Sequence, residues 1–247
     1  MFKGAKSPSE EAEPVPGRNS RIGTERESSL HRALKVRYAG PEGKTEVAAA
    51  GYVCDGINDQ GEFFEVQTGS FGPLKQKVRE LAGIGRIRII HPIIIGKYIE
   101  TFDPGGTLQS RRKSPRRGTE WDLFKALLYA PFLPLVTGLT IELALVDIAE
   151  RRIRDGRGSW RRKGARITDK ILETYHYSVP LITLGDYYRF LPFEGGEQFT
   201  VRELGNRARI RTDIAQKTLY VLTKLNLVER IDKRGNAWVY TFREKIR

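Results

Sequence analysis

Three acidic residues lie where a divalent metal ion could use them. Asp55 closes the run TEVAAAGYVCD, Glu65 lies within EFFEVQT, and Glu27 lies at the start of an apolar-periodic segment. Magnesium and manganese favour oxygen ligands, commonly one or two carboxylates completed by water and substrate. A metal held this way activates water and neutralises charge on a phosphodiester. Asp55 and Glu65 fall on two strands joined by the turn GINDQG, so the hairpin brings them side by side. Residues i and i+2 of a strand share a face, which places Gln67 with Glu65, and the Val66 carbonyl can add a ligand. The other ligand types are sparse. One cysteine, Cys54, and the scattered His31, His91 and His176 exclude a disulfide framework within the chain and offer no zinc spacing. Cys54 reads as a buried thiol, His31 as a helix-surface residue and His91 as a strand histidine.

The elements that must position these residues follow from periodicity. Leu30, Ala33, Leu34 and Tyr38 recur at spacings of three and four, which predicts a helix over Glu25–Tyr38, stopped by Gly40 and Pro41. Glu27, His31 and Lys35 fall on its flanks. Residues 45–54 and 62–68 predict the hairpin. Residues 73–82 predict a helix with Pro73 at its start and Gly83 beyond its end. The β-branched run 86–95 predicts a buried strand.

Further along, 103–118 reads as a break and 120–129 as a short helix. Residues 139–154 alternate as a strand, 154–166 form a basic loop, and 168–179 predict a helix capped by Thr168. At the C-terminal end, 182–192 reads as a short helix. Thr200 and Glu203 form a capping box for a helix over 199–208, and a longer helix spans 210–226. The hairpin LVERI–DKRGN–AWVYTF completes a winged-helix order. The expected organisation is a disordered tail over 1–20, a core over 21–105, a basic connecting segment over 106–180 and a winged helix-turn-helix domain over 181–247.

The net charge is +13 over 247 residues, which favours a polyanionic partner, nucleic acid first. Five of the seven residues from Arg111 to Arg117 are cationic: Arg111, Arg112, Lys113, Arg116 and Arg117. Arg161, Arg162 and Lys163 stand in the second basic loop beside Trp160. Such clusters suit phosphate contacts. In the 210–226 helix, Arg211, Gln216 and Lys217 lie off the apolar face, where Arg and Gln can read base edges, and Lys233 and Arg234 suit a wing tip. No apolar run is long enough to span a bilayer, none follows Lys3 and Lys6 as a signal peptide would require, and the single cysteine fits a cytoplasmic compartment.

Asp55, a short turn, then Glu65-Val66-Gln67 followed by a helix and a buried strand resembles the PD-(D/E)XK nuclease superfamily. Gly23, Glu27, Leu30 and Leu34 match the spacing of the first helix in archaeal-type Holliday junction resolvases. The resemblance covers residues 21 to about 96. It implies an α/β, restriction endonuclease-like αβββαβ core and a DNA endonuclease using Mg²⁺ or Mn²⁺, with metal held by Glu27, Asp55 and Glu65. Cutting both strands would favour a homodimer. One departure stands out: the family's usual lysine is Gln67 here, and glutamine carries no charge. The resemblance then implies a lysine from the next helix, Lys75 or Lys77. The alternative is a degenerate core that serves as a non-catalytic DNA-binding regulator or adaptor. The whole chain is also similar, more loosely, to an uncharacterised bacterial family that joins such a core to RRKSPRRG and SWRRKG segments and a C-terminal winged helix.

Overall fold

A computed structural model describes residues 27–243. The tail expected over 1–20, and Gly23, lie outside the described residues. The fold is mixed α/β. Helix α1 (Ser29–Ala39) begins at Ser29, where the Ser28 side chain accepts the His31 amide and sets the N-terminus; Glu25, the expected start, lies outside the described residues. Gly40, at φ 74°, ends it.

The expected first strand is in fact two. Strands β1 (Lys44–Ala49) and β2 (Tyr52–Ile57) turn tightly at Ala50 and Gly51, both at positive φ, and pair antiparallel. Asp55 therefore lies inside β2, not at the end of a strand. Strand β3 (Phe63–Val66) pairs antiparallel with β2, helix α2 (Lys75–Ala82) crosses over, and β4 (Ile87–Phe102) returns parallel to β3.

The segment 106–180, expected as a connector, instead builds half of the sheet. Strand β5 (Leu108–Lys113) folds back on β4, α3 (Leu123–Leu127) crosses over, β6 (Leu139–Arg154) runs parallel to β4, and β7 (Ala165–Leu181) pairs antiparallel with β6. The sheet order is β1-β2-β3-β4-β6-β7, with β5 also on β4. The helix expected over 168–179 is β7. Its Leu172 and Tyr175 sit at a helical spacing, but the long antiparallel register against β6, from Ile141↔Leu181 to Arg154↔Ala165, overrides that local preference. Thr168 caps no helix; its hydroxyl donates to the Arg151 carbonyl on β6.

Both faces of the sheet's centre are covered. Leu30 and Leu34 of α1 pack on Phe64, Val66, Ile90, Ala144 and Val146. Their sequence neighbours Ile87, Ile89, Leu143 and Leu145 go to a second core with Val78 and Leu81 of α2 and Leu123, Phe124 and Leu127 of α3. Full burial of each such side chain contributes about 1.5–3 kcal/mol. The second core continues through Phe190 into Leu204, Leu219 and Leu222. The expected boundary at 180/181 thus separates two sheets but not two cores. Beyond it come a 3₁₀ turn (Leu184–Phe190), β8 (Phe199–Thr200), α4 (Val201–Arg207), α5 (Thr212–Lys224), β9 (Val228–Arg234) and β10 (Ala237–Phe242). The last three strands form a small sheet in the order β8-β10-β9. The Thr200–Glu203 capping box at α4 is present. Among the described residues, no helix is long and apolar enough to cross a membrane.

Candidate active site

The β2–β3 ladder pairs only Gly56 with Phe64 and Ile57 with Phe63. Gly56 permits this closeness, since a Cβ there would meet the Phe64 ring at 2.5 Å. One residue further the strands splay, and the residues facing each other across the gap are Asp55 and Glu65. Their carboxylates replace the missing ladder bonds. Glu65 Oε1 accepts the Asp55 amide at 3.1 Å, and Asp55 Oδ2 accepts the Val66 amide at 2.8 Å. Each acid is fixed by the other's strand.

Helix α1 and the residue before its cap supply one flank. Glu27, His31 and Lys35 are four residues apart, so they stack along one side. His31 Nδ1 contacts Glu27, and its Nε2 lies 3.3 Å from Asp55 Oδ2. Lys35 is 7% exposed, with its Nζ 3.4 Å from Glu27, 3.4 Å from Glu46 and 3.7 Å from Asp55. Helix α2 supplies the other flank. Lys77 Nζ contacts Glu65 and donates to the Val53 carbonyl at 2.7 Å. Lys75, two residues earlier, points elsewhere and is exposed.

The charges bias one another. Burial disfavours the Asp55 carboxylate, but the hydrogen bond and charge of His31, the Val66 amide and Lys35 together hold its pKa below the ordinary value. Glu27 is also lowered: burial is outweighed by His31 and Lys35. Burial opposes the charged forms of His31 and Lys35, yet Asp55 and Glu27 raise both pKa values. Glu65 goes the other way. Burial, then repulsion from Asp55, push its pKa up, and Lys77 does not offset them. Burial lifts the Cys54 thiol to about 11, consistent with the inert reading of that residue.

Of the expected acidic set, Asp55 and Glu65 interlock, while Glu27 reaches them through His31. Among the described residues, no group of three or more His, Cys, Asp or Glu is arranged to hold a metal ion. The donor chemistry still suits a divalent cation. Asp55 and Glu65 each keep one oxygen free of backbone bonds, and repulsion from Asp55 adds to burial in raising the Glu65 pKa. Gln67 does not join. It lies past the end of β3, its amide donates to the Ser70 carbonyl at 2.6 Å, and its own carbonyl meets His91 Nδ1 at 2.6 Å. A strand continued past Val66 would place it with Glu65, but β3 stops at Val66. Lys35 and His31 join the site beyond the expected set, and their four-residue spacing from Glu27 is the signal the sequence holds for them.

The cations read as nucleic-acid contacts divide. Arg111 is held by Glu100 at 3.0 Å and Glu173 at 2.9 Å, Arg234 by Glu203 at 3.1 Å, and Arg211 and Lys217 by Asp213 at 3.0 and 3.2 Å. Arg162 donates to the Ala165 carbonyl at 3.1 Å, bracing the β6–β7 tip. Arg112, Lys113, Arg116, Arg117, Arg161, Lys163, Gln216 and Lys233 are exposed. Trp160, at the same tip, is 83% exposed beside the Arg161 guanidinium.

Residues 28–181 match a family described as a domain of unknown function, DUF8091. The chain belongs to the DUF8091 family. The DUF8091 region runs from the cap of α1 to the last residue of β7, so it takes in the whole seven-stranded sheet and the carboxylate site except Glu27. An uncharacterised protein of Treponema pallidum (strain Nichols) is 29% identical over 153 residues, 62% of this chain and 61% of that protein. The chain thus matches about three fifths of that relative's length. No solved structure matches the chain.

Proposed function

We propose that this DUF8091 protein is a metal-dependent DNA endonuclease with a PD-(D/E)XK-type core and a C-terminal winged helix. The observation that carries the reading is the Asp55–Glu65 interlock at the open end of β2–β3, with Lys77 on Glu65. The element order α1-β1-β2-β3-α2-β4 is the αβββαβ order that such a core requires. Lys77 supplies from α2 the cation that Gln67, just past β3, does not. Asp55 and Glu65, with the Val66 carbonyl, would hold Mg²⁺ or Mn²⁺, which when bound supplies a Lewis acid for water and phosphate. Lys77 orients the attacking water or a phosphate oxygen. His31 and Lys35 fix Asp55 and balance its charge. The basic β6–β7 tip with Trp160, and the exposed α5 residues Thr212, Gln216 and Tyr220, support a DNA partner.

Incubation with supercoiled, linear and branched DNA, with and without Mg²⁺ or Mn²⁺, tests the proposal. Metal-dependent cleavage that vanishes in Asp55→Ala and Glu65→Ala supports it. A second reading, a DNA-binding regulator or adaptor without cleavage, draws on the Gln67 amide being turned away and on three cationic side chains already matching the three acids. DNA binding that survives both substitutions, with no substrate cut by the unaltered protein, selects it.

A further inference from the structure

A cleft of about 760 Å³ opens between the sheet and the α4–α5 turn. Its walls are the loop after β3, the middle of β4, the loop before α3 and residues Arg209–Arg211. Six cationic side chains line it: Lys97, Arg116, Arg117, Lys125, Arg209 and Arg211; Asp122 is the carboxylate among them. Three of the six are answered: Lys97 by Glu150 at 3.2 Å, Lys125 by Asp122 at 2.6 Å and Arg211 by Asp213 at 3.0 Å. Arg116, Arg117 and Arg209 have no carboxylate within 4.0 Å among the described residues. Three guanidiniums converging on one concavity without counter-charge repel one another at rest and attract an anion.

The backbone that carries these three is also held in place. The Ser114 amide donates to the Lys97 carbonyl at 2.8 Å and the Gly118 amide to the Ile94 carbonyl at 2.7 Å, so both ends of the Arg116–Arg117 loop are pinned to β4. Gly118 is pressed so close that a Cβ would meet the Ile94 oxygen at 2.7 Å. Arg209 holds φ at +53°, a left-handed conformation that glycine adopts more easily. The turn keeps it there through the Ile210 amide on the Gly205 carbonyl at 2.9 Å. This is the left-handed cap that closes α4, and it fixes the backbone position from which the Arg209 side chain reaches the cleft.

We propose that this cleft holds the phosphodiester backbone of DNA, with Arg116, Arg117 and Arg209 contacting phosphates and the α4–α5 turn forming one wall. The cations come from two walls of the concavity, the loop before α3 and the α4–α5 turn. A strand entering it meets both walls, whereas a flat bilayer surface reaches only the rim. The inference shares with the endonuclease reading only its ligand, DNA; it requires neither metal nor cleavage.

The test is binding of a fluorescent duplex of about 20 base pairs in EDTA, followed over a range of salt concentrations. Each lost phosphate contact lowers the log–log salt slope by about 0.9. Arg209→Gly is expected to lower it by that amount and to raise the urea midpoint, because the strain is relieved while the contact is lost. Arg116→Ala/Arg117→Ala, in an exposed loop, is expected to lower it by about 1.8. Slopes unchanged in both variants overturn the inference. So does weakened binding to vesicles containing phosphatidylserine with DNA binding intact. Cleft-dependent binding by a protein that cuts nothing leaves the inference standing and removes only the endonuclease reading. Metal-dependent cleavage with unchanged slopes does the reverse.

Discussion

Lys35→Met tests the electrostatic account of the site. Methionine keeps most of the buried stem and removes the charge. At an effective dielectric near 20, charges 3.4–3.7 Å apart attract by about 4–5 kcal/mol. Lysine desolvation, several kcal/mol, opposes this. Removing one partner of a buried ion pair typically costs about 3–5 kcal/mol, because the other charge stays behind. Glu46 is 57% exposed and adds little. Glu27 and Asp55 keep 13% and 18% exposure and still have His31, which places the expected loss at the low end, about 3 kcal/mol at pH 7. For a chain of this size that lowers Tm by about 6–12 °C.

The sign of the pH dependence follows from the partners. Glu27 and Asp55 have lowered folded pKa values, so their stabilising contribution is present above the ordinary carboxylate range and is lost as pH falls through the folded values. The gap between Lys35→Met and the parent should therefore narrow in acid. Lys35 itself is raised, so its contribution is full below about 10.5 and fades as pH climbs past its folded value. Urea unfolding followed by circular dichroism at pH 7 and pH 3 measures both. A loss under about 1 kcal/mol at pH 7, or one no smaller at pH 3, would show that Lys35 is not held as a buried ion-pair partner.

His31 has a raised folded pKa, so its ionic stabilisation is full below the ordinary histidine value and is lost as pH rises. His31→Gln should cost about 1.5–3 kcal/mol at pH 5.5 and less at pH 8.5; equal losses in urea unfolding at the two pH values would argue against the ion pair. Lys77→Met should slow metal-dependent plasmid nicking by about 100-fold or more, while Lys75→Met leaves it unchanged; a comparable effect from both would remove Lys77 from the site. Thr200→Ala should cost about 1 kcal/mol, and adding Glu203→Ala should cost less than the sum, because both act in one capping box. Trp160→Ala should change stability by less than about 0.5 kcal/mol yet weaken DNA binding, which thermal melts and anisotropy titrations together measure.

Local order made the acidic pair legible. Asp55, a turn and Glu65 lie within one contiguous stretch, and the pairing of two short strands needs little beyond that stretch. Lys77 was legible as one of two lysines on the following helix, but its register, and not its neighbour's, brings it to Glu65. Glu27, His31 and Lys35 were visible as a four-residue stripe. Which way the stripe faced depended on Leu30 and Leu34 finding Phe64, Ile90 and Ala144, contacts made across the sheet.

The sequence alone therefore determined the carboxylate pair, the helices and the buried strand that flank it, the α4 capping box and the surplus of positive charge. Each rests on interactions within a few turns of chain. Long-range contacts set the rest: 106–180 extends the sheet, the first expected strand is two, β7 is a strand, Gln67 turns away, and Arg116, Arg117 and Arg209 line one cleft. A strand's partner can outweigh its own periodicity, and charges far apart in sequence meet only when the core closes. Neither effect is written in local spacing.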